Sequence, residues 1–167
     1  MISEPAIKDL YHPQFFFDEP FQTGNLYDFA EWLNGGAFKS RDFSSSGLPV
    51  IKIAELKNGI TAQTKFIEQR EKHFIRRGEL LFSWSGQPQS SIDTFWFQEE
   101  AGVLNQHIFK VLPKEGIDRT YFYYLLKYLK PNFVGIASNK QTTGLGHVTK
   151  KDLQQMRGSF PSQSHQI

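Results

Sequence analysis

Apolar residues fall along the chain in short runs, and the spacing within each run predicts its backbone. Residues 1–20 mix Pro5, Pro13 and Pro20 with Phe15, Phe16 and Phe17, which predicts an irregular arm pinned by aromatics. Leu26, Phe29, Ala30 and Leu33 share one face at helical spacing, a short helix with Asn25 as its cap and Asn34-Gly35-Gly36 as its end. Ala37 to Gly47 is polar and basic and reads as an exposed loop. Pro49 to Ile53 alternates as a strand does, and Asn58-Gly59 is a dipeptide suited to a hairpin turn. Further strands are expected at Lys65 to Glu68, at Glu79 to Trp84 before a Ser85-Gly86 turn, at Thr94 to Phe97 and at His107 to Leu112.

Helices follow in the last third. Asp118 is a good N-cap, and Tyr121, Leu125, Leu126 and Leu129 keep helical spacing until Pro131 stops the run. Thr149-Lys150-Lys151-Asp152 resembles a capping box, opening a short helix through Met156 that Gly158 ends. The sum is an α+β chain: a twisted mixed or antiparallel sheet with a few short helices and long polar loops.

Length and composition narrow the choices. The 167 residues suit one domain with a real core, and the absence of cysteine removes disulfides, thiolate metal sites and cysteine nucleophiles, as fits a reducing cytosol. No apolar run approaches a membrane span, and no secretory leader pattern opens the sequence, so a cytoplasmic protein is expected. The net charge of +2 conceals a partition: residues 1–37 balance at −5, 38–77 at +5, 78–118 at −4 and 119–167 at +6. Two basic blocks alternating with two acidic ones can give a folded surface one basic face.

The enzymatic motifs fail one by one. Phe82-Ser83-Trp84-Ser85-Gly86 lacks the first glycine of a nucleophile elbow, and Gly35-Gly36-Ala37-Phe38-Lys39-Ser40 has phosphate-loop residue types at the wrong spacing. His12, His73, His107, His147 and His165 are scattered without the close pairing that zinc needs. A DNA amino-methyltransferase would need an Asn/Asp-Pro-Pro-aromatic loop and a glycine-rich cofactor turn, and neither is present. The strongest enzymatic alternative is a magnesium-dependent nuclease, with Asp42 and Glu55 holding the ion and Lys57 stabilising developing negative charge. A protein-interaction domain is a further alternative.

Several segments, read in order, resemble the specificity subunit of type I restriction–modification systems. They are Leu26 to Trp32 with Gly35-Gly36, Gly47 to Ile53, Gly78 to Gly86, Leu104-Asn105-Gln106-His107, Thr143 to Val148, and Phe160-Pro161 with Gln166-Ile167. In the last, His165 stands where such subunits carry glutamate in a Pro-x-x-Glu-Gln-x-x-Ile pattern. The resemblance implies a target recognition domain over 26–160 and the start of a spacer helix over 161–167, behind the N-terminal arm expected over 1–25. Such subunits carry the unit twice, so this chain is expected to be a half-subunit or a piece of one. It also implies partners: double-stranded DNA, a methyltransferase (modification) subunit and a restriction subunit. No cofactor or metal and no chemistry of its own are expected.

Reading a duplex calls for basic residues on loops to meet phosphates, with amides among them to meet base edges. Lys39 and Arg41 on the first loop fit, as do Lys57 and Lys65 around Asn58-Gly59, and Arg70, Lys72, Arg76 and Arg77 form the densest cluster. Gln87 and Gln89 after the Phe82–Trp84 strand, and Lys140 with Gln141 before Gly144, complete the candidate set. Trp32, Phe82, Trp84 and Phe109 are expected in the core, and Asn105, Gln106 and His107 are expected to tie backbone together. The helix over Tyr121–Leu129 has aromatics on more than one face, so part of it is expected to pack on the methyltransferase subunit.

Overall fold

The computed structural model describes residues 22–68, 72–141, 144–161 and 166. Most of the expected N-terminal arm, Arg70, and most of the expected spacer start therefore lie outside the described residues. The chain enters as β1 (Gln22–Asn25), makes a 3-10 turn over Leu26–Phe29, and continues as β2 (Ala30–Asn34). After a second 3-10 turn, Ser40–Asp42, come β3 (Leu48–Ile51), α1 (Ile53–Asn58), β4 (Phe66–Ile67), β5 (Phe74–Arg76) and β6 (Leu80–Ser83). Next are β7 (Ser85–Gly86), α2 (Pro88–Ser91), β8 (Asp93–Trp96), β9 (Ala101–Leu104) and β10 (Ile108–Pro113). The chain closes with α3 (Arg119–Tyr128), α4 (Lys130–Asn139), β11 (Gly146–His147), α5 (Lys150–Gln155) and β12 (Arg157–Phe160).

Two four-stranded sheets form the body, one in the order β2-β10-β6-β8 and the other in the order β4-β3-β9-β5. The first is antiparallel throughout; in the second, β3 and β9 run parallel. Two small antiparallel pairs complete the α+β fold, β1 with β12 and β7 with β11. The main core lies against the first sheet and contains Leu26, Trp32, Phe82, Phe122, Phe133 and Phe160. Fully burying each such phenylalanine contributes about 1.5–3 kcal/mol. Trp32 meets Phe82, Phe109 and Phe122 edge-on at 5.8, 5.9 and 6.1 Å, the orientation that aromatic quadrupoles favour. A smaller core of Ile51, Ile75, Leu81, Phe97, Leu104 and Ile108 fills the space where the sheets meet.

Several elements differ from the sequence expectation, and strands β1, β5 and β9 and helix α2 are additions to it. The helix expected after Asn25 is a single 3-10 turn followed by strand β2, where Ala30 and Trp32 are buried while Glu31 and Leu33 are exposed. That period-two pattern, paired with β10, outweighs the helical spacing of the same apolar residues. Gly35 then serves close packing, since a Cβ there would lie 2.1 Å from Asn105 O. Asn58-Gly59 closes no tight hairpin: Gly59, at φ 72°, ends α1, and β3 pairs antiparallel with the next strand, β4, across the longer link that holds this helix. Pro131 sits in the first turn of α4, where a missing N–H costs nothing, so it opens a helix that the sequence reading omitted. Ser85-Gly86 and Gly158 lie in short strands, paired with Gly146-His147 and with Gly24. The Asp118 cap is as expected, its carboxylate accepting from Thr120 N and Tyr121 N, and so is the Thr149 capping box. Among the described residues no helix is long and apolar enough to cross a membrane.

Candidate nucleic-acid interface at the loop end of the sheets

Strand direction places many of the loops at one end. β2 finishes there at Asn34, β3 at Ile51, β6 at Ser83 and β9 at Leu104, while β5 and β10 begin there at Phe74 and Ile108. Backbone hydrogen bonds stitch this end together: Gly35 N to Ile108 O at 3.1 Å, Gly36 N to Leu104 O at 2.8 Å and Asn105 N to Ile51 O at 3.0 Å. Asn34 adds two links. Its Oδ1 accepts from Trp84 Nε1 at 3.2 Å, and its main-chain oxygen accepts from His73 Nδ1 at 3.0 Å.

Trp84 packs against Phe109 at 5.7 Å and lies against His107 and His147 at 5.7 and 5.9 Å. Ser85 Oγ bonds His147 Nδ1 at 2.9 Å. Burial first, and then the neighbouring His147, push the pKa of His107 below the usual histidine value, so its ring is neutral at pH 7. The bonds of Asn105 and Gln106 are local: Asn105 Oδ1 accepts from His107 N at 3.4 Å, and the Gln106 amide meets His107 Nε2 at 3.2 Å.

The candidate residues spread over this end and along its sides. Lys57 donates to Ser90 O, tying α1 to the turn of helix α2, from which Gln87 and Gln89 are exposed. Lys65 is exposed beside β3, its carbonyl accepting from Val50 N at 2.7 Å. Lys39 and Arg41 are exposed on the 3-10 turn that leads away from β2. Lys140 pairs with Asp152, a carboxylate that also accepts from Thr149 N and Oγ1 at 2.7 and 2.6 Å. Burial alone would raise the Asp152 pKa, but the bonds from Lys140 and Thr149 outweigh it and hold the carboxyl below its usual range. Gln141 is exposed and donates to Gly144 O at 2.5 Å. The densest basic cluster is strung out by β5: Lys72 precedes the strand at the loop end, whereas Arg76 and Arg77 lie at its far end. The three residues of β5 span about 10 Å. The Arg76 guanidinium folds back over the Phe74 ring at 5.2 Å.

The carboxylates of the nuclease alternative are used in helix caps. Asp42 accepts from Lys39 N at 2.8 Å, and Glu55 accepts from Lys52 N and Thr64 Oγ1, both at 3.1 Å. Among the described residues no group of three His, Asp or Glu could hold a metal ion. Sequence reasoning passed over His73 and Asn34 as site residues. His73 has φ 68°, a conformation that no local sequence signal announces.

The chain is thus a two-sheet α+β body that holds basic and amide side chains on exposed loops over a rigid scaffold. The family model of the type I restriction modification DNA specificity domain matches residues 18–166, and the chain belongs to that family. A search of curated proteins finds no match. The fold is similar to the HsdS subunit of Thermoanaerobacter tengcongensis, with a TM-score of 0.66 and 21% identity over 93% of this chain and 37% of that one. A chain from a structure of type I R-M system assembly and conformational transition gives the same score and identity over 96% of this chain and 39% of that one. The type I S subunit of M. genitalium matches at a TM-score of 0.62 and 9% identity, over 89% of this chain and 36% of that one. This chain thus spans less than two fifths of the length of those proteins.

Proposed function

We propose that this domain reads the sequence of double-stranded DNA and does no chemistry itself, leaving that to a modification subunit and a restriction subunit with which it assembles. The observation that carries the reading is membership of this family, supported by exposed lysines and glutamines on loops of the two-sheet body. Lys39, Arg41, Lys57, Lys65 and Lys140 meet phosphates, with Lys72, Arg76 and Arg77 extending that track along β5. Gln87, Gln89 and Gln141 carry the two-pronged amide that pairs with an adenine edge in the major groove. Phosphate contacts set position and affinity, and amide contacts set sequence.

Titration of a random-sequence duplex pool at two salt concentrations tests this. Each phosphate neutralised releases condensed counterions, so four contacts give a slope of log K against log salt of about −3.6. A slope near zero, or no binding at low salt, would overturn the proposal. Gln87→Ala is expected to relax preference at one base pair by about 1–3 kcal/mol while leaving affinity for non-target DNA unchanged.

A further inference from the structure

Between β2 and β5, where the two sheets meet at the loop end, lies a pocket of about 330 Å³. Leu33, Phe74 and Leu104 give it apolar walls, and Lys72, His73 and Lys110 line it as well. That volume lies at the lower end of the range for small-molecule sites, about 300–1,000 Å³, and exceeds what a lone phosphate fills. Lys110 is held in place by Glu79, 2.6 Å away.

His73 is the only non-glycine residue with positive φ among the described residues. A left-handed backbone is unfavourable for a residue with a Cβ, and such strain concentrates where a side chain must be aimed. Two contacts aim this one. Nδ1 faces Asn34 O at 3.0 Å, and the ring edge lies over Gly36, where a Cβ would come within 2.8 Å of Cδ2. A ring nitrogen facing a carbonyl oxygen carries the hydrogen, which leaves Nε2 as the ring atom that can meet a ligand's polar group.

We propose that this pocket is a nucleotide subsite. A base enters between Leu33, Phe74 and Leu104, His73 Nε2 meets a polar group on its edge, and Lys72 and Lys110 hold its phosphate. Apolar walls with a few placed polar groups are the general make-up of such sites, and stacking on an aromatic ring suits any base. The inference rests on the DNA reading where the nucleotide is one unit of a bound strand. A free mononucleotide presents the same chemistry.

The test uses the wild-type chain, Leu33→Trp and His73→Asn. Leu33 is 40% exposed, so tryptophan fills the pocket from its rim without removing a charge. Asparagine tolerates the left-handed backbone and removes the ring. Free dAMP is titrated by calorimetry, and a duplex selected by the protein from a random pool, carrying 2-aminopurine at each position in turn, is followed by fluorescence. Tenfold weaker dAMP binding in both variants supports the subsite with a free nucleotide as its source. A 2-aminopurine signal present in wild type and lost in both variants supports it with the strand as source. Wild-type behaviour of both variants in both titrations overturns the subsite. Salt-dependent duplex binding, measured alongside, decides the DNA reading separately: a duplex bound equally by all three proteins leaves that reading intact and rules out the strand, though not the free nucleotide, as the pocket's occupant.

Discussion

Replacing Gln166 with alanine would remove the partner of three backbone groups at once. The side chain is 4% exposed, its Oε1 accepts from Asp118 N at 2.6 Å, and its Nε2 donates to Gly116 O at 2.8 Å and Pro161 O at 3.0 Å. Three such bonds at about 1 kcal/mol each are worth about 3 kcal/mol. Freeing the glutamine rotamers returns up to about 1.5 kcal/mol, so Gln166→Ala is expected to cost about 1.5–3 kcal/mol. For a domain of this size that lowers Tm by roughly 3–12 °C. Urea denaturation is the assay, with the midpoint falling and the slope unchanged. Gln166→Glu sharpens the test, because it keeps the shape but sets a carboxylate against two carbonyl oxygens. The folded state then raises the pKa of the new acid above its unfolded value. The destabilisation is therefore full above the folded pKa and is relieved as pH falls through it. A Gln166→Ala change within 0.5 kcal/mol of wild type, or a pH-independent Gln166→Glu, would refute the reasoning.

Asp93 holds both Lys127 and Lys130 at 2.7 Å. Burial raises its pKa, but these bonds and one from Thr94 N outweigh it and leave the carboxyl below its usual range. The contribution is therefore present above the unfolded aspartate pKa and lost as pH falls through the depressed folded one, so the cost of Asp93→Asn at pH 7 should shrink below about pH 4. That cost is about 1–2 kcal/mol, discounted because the lysine side chains are 33% and 35% exposed. Gly35→Ala drives a methyl against Asn105 O, and calorimetry should show a loss of about 1–3 kcal/mol or more. Phe133, fully buried against Phe82 at 4.9 Å, should cost about 3–5 kcal/mol on change to alanine, read by the same urea titration.

Elements whose side chains settle the matter locally were legible in the sequence. Leu80–Ser83 is buried at every position and reads as a strand, and Asp118 and Thr149 announce their helices through their own carboxylate and capping bonds. Where two periods compete, the partner decides. Ala30–Asn34 satisfies helical spacing, and only β10, about eighty residues later, makes it a strand. The two-residue strands β7 and β11 are invisible for the same reason, since pairing over sixty residues leaves no local mark. The site follows this division. Exposed lysines and glutamines on loops can be picked out by type, but which of them share an end depends on strand direction. That is how Lys72 is parted from Arg76 and Arg77.

Strands β1 and β12 are the first and last described, and they lie side by side, Gln22 opposite Phe160 and Asn25 opposite Arg157. The first and last described strands are thereby fastened to each other. Whatever precedes Gln22 and whatever follows Pro161 start from neighbouring points, so a length of flanking chain can be joined across the domain as across a single clasp. Neighbouring ends of this kind are the geometry in which a folded unit sits within a longer chain without disturbing its own sheets.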